Sequence, residues 1–155
     1  MNLSTTYMGL KLRNPLIVAS SGLTSTPLKV KECADMGAGA VILKSIFEEQ
    51  IEKDLGNLAD SENWYPEAFD YINEYGMENA VSKYLSLLEE SVKITDIPVI
   101  PSIHCFGKGN WAKFARKLEN SGASGIELNA FVLPSDPRRT GRDNENIILD
   151  IFTDV

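Results

Sequence analysis

A stretch of small and apolar residues, residues 37–45, constrains the fold of this chain more than any other. It reads Gly-Ala-Gly-Ala-Val-Ile-Leu-Lys-Ser, and its central residues 40–43 carry no polar side chain. Such a run is typical of a strand that is buried on both faces of a parallel sheet. Lys44 follows directly, at the end of a strand where open and closed α/β sheets bind their ligands. A lysine that simply leaves the core for solvent is the alternative interpretation.

The preceding residues complete a strand–helix–strand unit. Residues 16–19 form a second all-apolar run, which predicts another buried strand. Thr26 followed by Pro27 is a typical helix start, with a hydroxyl N-cap and proline at the first helical position. The helix should end at Gly37, and the crossover between the two strands should be right-handed.

Further strand and helix patterns follow in alternation. Apolar side chains at 3- and 4-residue spacing predict a helix over residues 79–94. The later patterns predict a strand over 99–103, a helix over 111–119, a strand over 126–130, a loop over 131–144 and a helix from 147. Residues 46–75 are polar but carry several aromatic side chains, which favours a functional excursion over one that only packs its own aromatics.

This alternation predicts the N-terminal half of an eight-fold (β/α) barrel, within a single domain that spans residues 1–155. A loosely alternating hairpin over residues 5–12 would precede about four strand–helix units. A stand-alone four-unit α/β sheet is the alternative. Polar residues recur where strands end, as at the active-site face of a barrel; they are Ser20, Lys44, Ser102 and Asn129.

Composition narrows the function classes. The 155 residues are 43% hydrophobic and 24% charged, which fits one soluble globular domain. The net charge of −7 argues against a nucleic-acid partner, which requires a basic face. No apolar run approaches the roughly 20 residues of a membrane helix, and no signal-peptide pattern is present, so we expect a cytoplasmic protein. Two cysteines, Cys33 and Cys105, and a single histidine predict free thiols and no metal site.

Four short motifs lie in order along the chain. They are Asn14-Pro15 followed by Ala19-Ser20; Leu43-Lys44-Ser45; Asn73, Gly76, Met77 and Asn79; and Glu127-Leu128-Asn129. In this order and at this spacing, they make essentially the whole chain resemble the N-terminal half of dihydroorotate dehydrogenase, most closely the soluble class 1 type.

The resemblance implies an FMN-containing (β/α) barrel that passes a hydride from a small substrate to flavin in pyrimidine biosynthesis. It implies a catalytic role for Lys44, because a cation beside flavin stabilises negative charge on the reduced ring and binds a carboxylate substrate. The cofactor-binding residues that it implies are Ala19, Ser20, Gly22, Lys44, Ser45 and Asn129. The substrate-binding residues that it implies are Lys44, Asn73, Gly76, Met77 and Asn129.

The chain departs from the family pattern at several positions. Ser21 stands before Gly22, where the family has glycine directly after Ala-Ser, and Glu78 stands at a position that is usually proline. The family's cysteine or serine base follows the fourth-strand asparagine, whereas residues 130–133 here are Ala-Phe-Val-Leu. Ser135 and Asp136 come just after this segment and would need a rearranged loop to act.

The remaining polar and charged groups have simpler interpretations. We interpret Cys105 as a core thiol and His104 as a structural histidine. Glu127 shares a strand face with Asn129 and is a candidate partner for Lys44. We expect the arginines of the predicted loop to form a solvated cluster; they are Arg138, Arg139 and Arg142.

Two functions are compatible with these features. The first is an FMN-dependent oxidoreductase of the dihydroorotate dehydrogenase type, with a small-molecule substrate. The second is a half-barrel fragment that binds no cofactor and associates with itself, because its open sheet edges invite homo-oligomerisation.

Overall fold

The computed structural model describes residues 2–48, 80–105, 111–133 and 135–155. The chain begins with the predicted hairpin, in which β1 (Thr5–Tyr7) pairs antiparallel with β2 (Leu10–Leu12). Met8 and Gly9 join the strands with φ values of 51° and 77°. Positive φ at both loop residues is what a two-residue type I′ turn requires.

The first strand–helix–strand unit confirms the local predictions. It consists of β3 (Ile17–Val18), a 3₁₀ turn (Gly22–Thr24), α1 (Pro27–Asp35) and β4 (Ala40–Ile42). The Thr26 hydroxyl accepts a hydrogen bond from the Lys29 amide and so caps α1. Gly37, just after the helix, has a φ of 99°, which glycine adopts without strain.

The later elements keep the predicted order. They are β5 (Ile46–Phe47), α2 (Ala80–Ile94), β6 (Val99–Ile100), β7 (Ser102–Cys105), α3 (Trp111–Asn120), β8 (Glu127–Ala130) and α4 (Gly141–Asp154). The predicted loop over 131–144 is too long, because α4 begins at Gly141 rather than at residue 147. A capping box explains the early start: the Thr140 hydroxyl accepts from the Asp143 amide at 3.2 Å, and the Asp143 carboxylate accepts from the Thr140 amide at 2.7 Å.

Strands β3 to β8 form two parallel sheets, in which neighbouring strands follow chain order. One sheet has the order β3-β4-β6 and the other the order β5-β7-β8. A short connection leads from β4 to β5, and another leads from β6 to β7. The two sheets are therefore adjacent at these connections. This sequential order differs from a doubly wound sheet, in which the strand order reverses at a switch point.

A bulge separates β4 from β5. Ile42 is opposite Ile100 and Ile46 is opposite Ile103, so residues 43–45 face only residues 101–102. One extra residue on one strand is the definition of a β-bulge, which re-aims side chains. Lys44 lies within this bulge, after β4 ends at Ile42 and before β5 begins at Ile46.

One hydrophobic core joins the four α-helices of the described residues to one face of the sheets. The completely buried side chains include Val30 of α1, Leu88 of α2, Phe114 of α3 and Ile151 of α4. Alternate strand residues, such as Ile103 and Cys105 of β7, point into this core, and their neighbours point to the opposite face. The architecture is a partial α/β domain with parallel strands, which is compatible with the predicted half-barrel.

Close packing at the start of β4 explains one of the glycines. A Cβ atom on Gly39 would lie 2.2 Å from the carbonyl oxygen of Asn14, and the Gly39 amide donates to the Leu16 carbonyl at 2.7 Å. Arg13 adds a hydrogen bond from its Nε to the Ala38 carbonyl at 2.8 Å. These contacts hold the segment before β3 against the start of β4, so only glycine fits there.

Candidate functional site

The turn after β3 is fixed to the bulge by backbone contacts. The hydroxyl of Ser21 accepts from the Leu23 amide at 3.2 Å and caps the 3₁₀ turn, which gives this departure from the family pattern a local role. Thr24 is completely buried, and its carbonyl accepts a hydrogen bond from the Lys44 amide at 3.3 Å. The predicted cofactor turn and the predicted catalytic lysine are therefore adjacent.

A row of hydroxyl groups crosses the strands at the level of the bulge. Ser20 Oγ lies 2.9 Å from Ser45 Oγ, and Ser45 Oγ lies 2.9 Å from Ser102 Oγ. Ser102 Oγ donates to Glu127 Oε1 at 2.7 Å, and the Ser45 amide donates to Ser20 Oγ at 3.0 Å. We call these four side chains the serine–glutamate row.

The row has a fixed donor direction, because each hydroxyl carries a single proton. Ser102 gives its proton to the Glu127 carboxylate, so Ser45 must donate to Ser102 and Ser20 must donate to Ser45. Every proton in the row therefore points towards Glu127. Ser20, at the outer end, is left able to accept a further hydrogen bond but not to donate one.

Tyr84 of α2 supports the row from behind. Its hydroxyl donates to the Ser102 carbonyl at 3.0 Å and accepts from the Ser102 amide at 2.8 Å. Both residues are buried, and Pro101 just before Ser102 has no N–H to give to a ladder. Burial raises the pKa of Tyr84 far above its usual value; the hydrogen bond with Ser102 opposes this shift, and the charge of Glu127 adds to it.

A second layer of side chains lies next to the row, on the same face. His104 of β7 is in register with Phe47 of β5 on one side and with Asn129 of β8 on the other. The imidazole ring lies 5.2 Å from the Phe47 ring, edge to face, and 6.4 Å from the Phe131 ring, stacked. We call the face formed by this layer and the serine–glutamate row the polar face.

The second layer differs from the first in its hydrogen bonding. Within the described part of the chain, neither ring nitrogen of His104 and neither polar atom of the Asn129 amide has a hydrogen-bond partner. His104 is half-buried and Asn129 is exposed. Donors and acceptors that the described residues leave unpaired are available to a ligand.

The charged groups near this face are not paired as the sequence interpretation proposed. Glu127 accepts from Ser102, and no ion pair with Lys44 occurs among the residues that the structure describes. Lys44 is exposed. Its ammonium group is therefore free of a described carboxylate, which leaves it available to an anionic ligand.

The other predicted cofactor residues lie on the turn after β3. Ala19 and Gly22 are exposed, and a Cβ atom built on Gly22 would have nothing within 4 Å. The predicted substrate residues Asn73, Gly76 and Met77 lie outside the described residues. The structure thus brings together the turn, the bulge and the end of β8.

Cys105 is confirmed as a core thiol. It is completely buried on the helix side of β7, and both burial and the nearby charge of Glu48 raise its thiol pKa to about 12. A thiol that holds its proton so strongly is a poor nucleophile or base. Cys33, on α1, is also unpaired with another cysteine.

The segment after β8 holds its own charges in local contacts. Asp136 accepts from the Arg138 guanidinium at 3.0 Å, and this hydrogen bond holds the pKa of Asp136 below its usual value. Arg138, Arg139 and Arg142 are exposed, as expected for a solvated cluster, and Ser135 donates its amide to the Leu133 carbonyl. The Asp136 carboxylate is thus engaged within its own segment.

The structure also locates an apolar groove and tests for other kinds of site. The groove, of about 400 Å³, lies between β8 and α4 and is lined by side chains that include Ile126, Leu128, Ile148 and Phe152. It contains none of the predicted site residues. Among the described residues, no cluster of histidine, cysteine or carboxylate side chains is arranged to hold a metal ion, and no helix is long and apolar enough to cross a membrane.

Proteins of known name match most of this chain. A catalytic subunit of dihydroorotate dehydrogenase B (NAD(+)) from Pyrococcus furiosus is 35% identical over 130 residues, which are 83% of this chain and 41% of that protein. The corresponding subunit from Methanocella arvoryzae is 33% identical over 129 residues, 83% of this chain and 40% of that protein. The chain belongs to the dihydroorotate dehydrogenase family. The resemblance inferred from the four motifs is thus confirmed.

Other comparisons define the extent of this membership. The dihydroorotate dehydrogenase B subunit from Thermoplasma volcanium is 29% identical over 133 residues, again 83% of this chain and 41% of that protein. The chain therefore spans about two fifths of the length of the curated relatives that it matches. No protein-family model matches it.

Sequence reasoning missed several members of the site. It treated Tyr84 as a core position of a helix and His104 as a structural residue, and it did not connect Ser102 with Ser45 and Glu127. The sequence did contain one signal for these residues. Polar side chains alternate with apolar ones over residues 102–104 and 127–129, which indicates that the polar side chains share one face of each strand.

Proposed function

We propose that this chain supplies the N-terminal half of a (β/α)₈ barrel that oxidises dihydroorotate, or a closely similar small carboxylate, with FMN. The observation that carries the proposal is the meeting of the turn after β3, the bulge and the end of β8 on the polar face. Three of the four family motifs meet there. Ser20 of the first motif contacts Ser45 of the second, and Ser102 links Ser45 to Glu127 of the fourth. The relatives' names support oxidation of dihydroorotate in pyrimidine biosynthesis.

The residues at this face fit a flavin. A flavin ring carries both donors and acceptors on its edge, and the face offers both. Ser20 has only acceptor capacity left, Lys44 only donors, and Asn129 has both and is exposed. Gly22 leaves the backbone of the turn open to close approach. We therefore assign Ala19, Ser20, Gly22, Lys44, Ser45 and Asn129 to flavin binding; when bound, FMN supplies the hydride acceptor.

Lys44 and Asn129 would also bind the substrate. An exposed ammonium group with no described carboxylate partner can pair with the substrate's carboxylate. An amide with unpaired donor and acceptor atoms can orient a ring that carries both amide N–H and carbonyl groups. The serine–glutamate row would hold Ser20 and Ser45 in place between these two residues. The homologous roles of Asn73, Gly76 and Met77 remain predictions from the motif.

The test uses the full-length protein, purified and examined by absorbance. We expect flavin absorbance bands in the near-ultraviolet and visible range and the release of FMN after denaturation. Under anaerobic conditions, dihydroorotate should bleach these bands. Asn129→Ala should weaken binding and slow bleaching, whereas Asn2→Ala, at an exposed position outside the polar face, should do neither. A flavin-loaded protein that dihydroorotate does not bleach would exclude this substrate and retain the class. A protein without flavin would refute the proposal.

A further inference from the structure

We propose that His104 contacts the substrate and is its proton acceptor, a role that rests on the proposed function. The family's base motif is absent from residues 130–133, so the proton released on oxidation needs another acceptor. Two ionisable side chains, His104 and Glu127, lie on the described polar face, and a third, Lys44, lies in the bulge beside it. Only one of them has the properties of a free base.

Glu127 and Lys44 are less suitable. One oxygen of Glu127 accepts a hydrogen bond from Ser102 within the serine–glutamate row. All hydroxyl protons of the row already point towards the Glu127 carboxylate. The ammonium group of Lys44 carries only hydrogen-bond donors and has no lone pair to offer. Cys105, adjacent to His104, faces the core and keeps its proton because its thiol pKa is raised to about 12.

His104 has both the position and the free atoms. It is in register with Asn129, the family's substrate asparagine, so the two side chains are neighbours on adjacent strands. Its ring is fixed between Phe47 and Phe131 by ring contacts alone, so the described protein uses neither of its nitrogens. Imidazole is the side chain whose ordinary titration range includes neutral pH, which is what a general base requires.

The proton transfer balances without a further reactant. A ring nitrogen of His104 takes a proton from the substrate carbon, so a C–H bond breaks and an N–H bond forms. The freed electron pair becomes the new C=C bond as a hydride leaves the neighbouring carbon for the two-electron acceptor of the proposed function. The substrate is oxidised, the acceptor is reduced, and the imidazolium then releases its proton to water.

The first test is His104→Gln in the full-length flavin-loaded protein, with His104→Asn as a second variant if the first folds poorly. We expect orotate to bind with an affinity within about threefold of wild type, since Lys44 and Asn129 remain. Flavin reduction by dihydroorotate should slow by about 10²-fold or more. The control is Cys105→Ala, the next residue on the opposite face, which should keep the wild-type rate. A His104 variant that reduces flavin at the wild-type rate would overturn the proposal.

The pH dependence separates a base from a structural histidine. In wild type, the reduction rate should rise with pH through one ionisation, and this rise should be lost in the glutamine variant. The charged side chains on the adjoining strands are Lys44 and Glu127, while Glu48 acts on the Cys105 side. A Glu127→Gln variant should therefore shift the rise and leave it present. If the glutamine variant at position 104 keeps the same rise, His104 is not the base.

An NMR readout works even without activity. His104 is the single histidine of the 155 residues, and the difference between wild type and the glutamine variant assigns its imidazole signals in the full-length protein. Orotate should shift these signals. If the protein lacks flavin, the proposed function fails, yet a shift on adding orotate still supports contact with His104. Signals that orotate leaves unmoved would overturn it.

Discussion

Replacing Tyr84 with phenylalanine should destabilise the protein far more than the loss of one hydroxyl normally does. The Tyr84 hydroxyl is both donor and acceptor for the backbone of Ser102, and the two residues are 7% and 0% exposed. Tyr84→Phe keeps the ring and its packing but leaves the buried Ser102 N–H without a partner, and it removes one hydrogen bond to the Ser102 carbonyl. An unpaired buried group costs about 1–3 kcal/mol and a lost hydrogen bond about 1 kcal/mol, so we expect a loss of about 2–4 kcal/mol.

The assay is urea unfolding of Tyr84→Phe beside a matched control. Tyr7 is 52% exposed and lies in β1, so Tyr7→Phe should change the free energy of unfolding by less than about 0.5 kcal/mol. The predicted loss for Tyr84→Phe is a large fraction of the roughly 5–15 kcal/mol that holds a domain folded. If Tyr84→Phe unfolds at the same urea concentration as the control, the hydroxyl does not support Ser102 and the reasoning fails.

The same variant has a signature at high pH. Burial raises the pKa of Tyr84 in the folded protein, whereas an unfolded tyrosine ionises near pH 10. The unfolded state therefore releases a proton first, so stability that is complete below about pH 10 is lost as the pH rises. The slope attributable to this residue is about 1.4 kcal/mol per pH unit. Tyr84→Phe should lack it, and an unchanged slope would show that the phenol titrates normally.

Three further predictions concern single positions. Lys44→Ala in the full-length protein should slow flavin reduction by about 10²-fold and cost less than about 1 kcal/mol of stability, as stopped-flow reduction and a thermal melt will show; a collapsed melt with an unchanged rate would contradict it. Gly39→Ala should cost more than about 2 kcal/mol because its Cβ meets the Asn14 carbonyl at 2.2 Å, whereas Gly22→Ala, with open space, should be nearly neutral in the same urea assay. Cys105→Ala should remove an alkaline loss of stability, since burial raises the thiol pKa from 9.0 to about 12; equal urea midpoints of wild type and variant across this pH window would refute it.

Local sequence patterns determined the order of the elements. Thr26 and Pro27 specify a helix start through one capping hydroxyl and one fixed φ angle, and neither effect depends on a distant contact. The apolar run before Lys44 specifies a strand buried on both faces in the same way. The early start of α4 also depends on a local interaction, the capping box of Thr140 and Asp143. The polar composition of residues 131–144 led to the prediction of a loop there instead.

Membership of the family was likewise determined by the sequence. Motifs such as Leu43-Lys44-Ser45 and Glu127-Leu128-Asn129 combine residue type with spacing, and both are properties of the chain itself. They also predicted that Ser20, Lys44 and Ser45 belong to one site. The reason is general: parallel strands in chain order bring their carboxyl ends to the same edge, so strand-end residues meet without knowledge of the exact register.

Only the tertiary structure decided how these residues are connected. Ser45 and Ser102 are 57 positions apart, and their contact depends on a one-residue bulge that no local pattern encodes. The same register places Tyr84 against Ser102, and it places His104 beside Asn129, with neither imidazole nitrogen hydrogen-bonded to a residue that the structure describes. Successive side chains on a strand point to opposite faces of the sheet. A register shift of one residue would therefore move the core side chains to the site face and the site side chains to the core. Hydrogen-bond partners between distant strands therefore follow from register, which the packing of the whole domain sets.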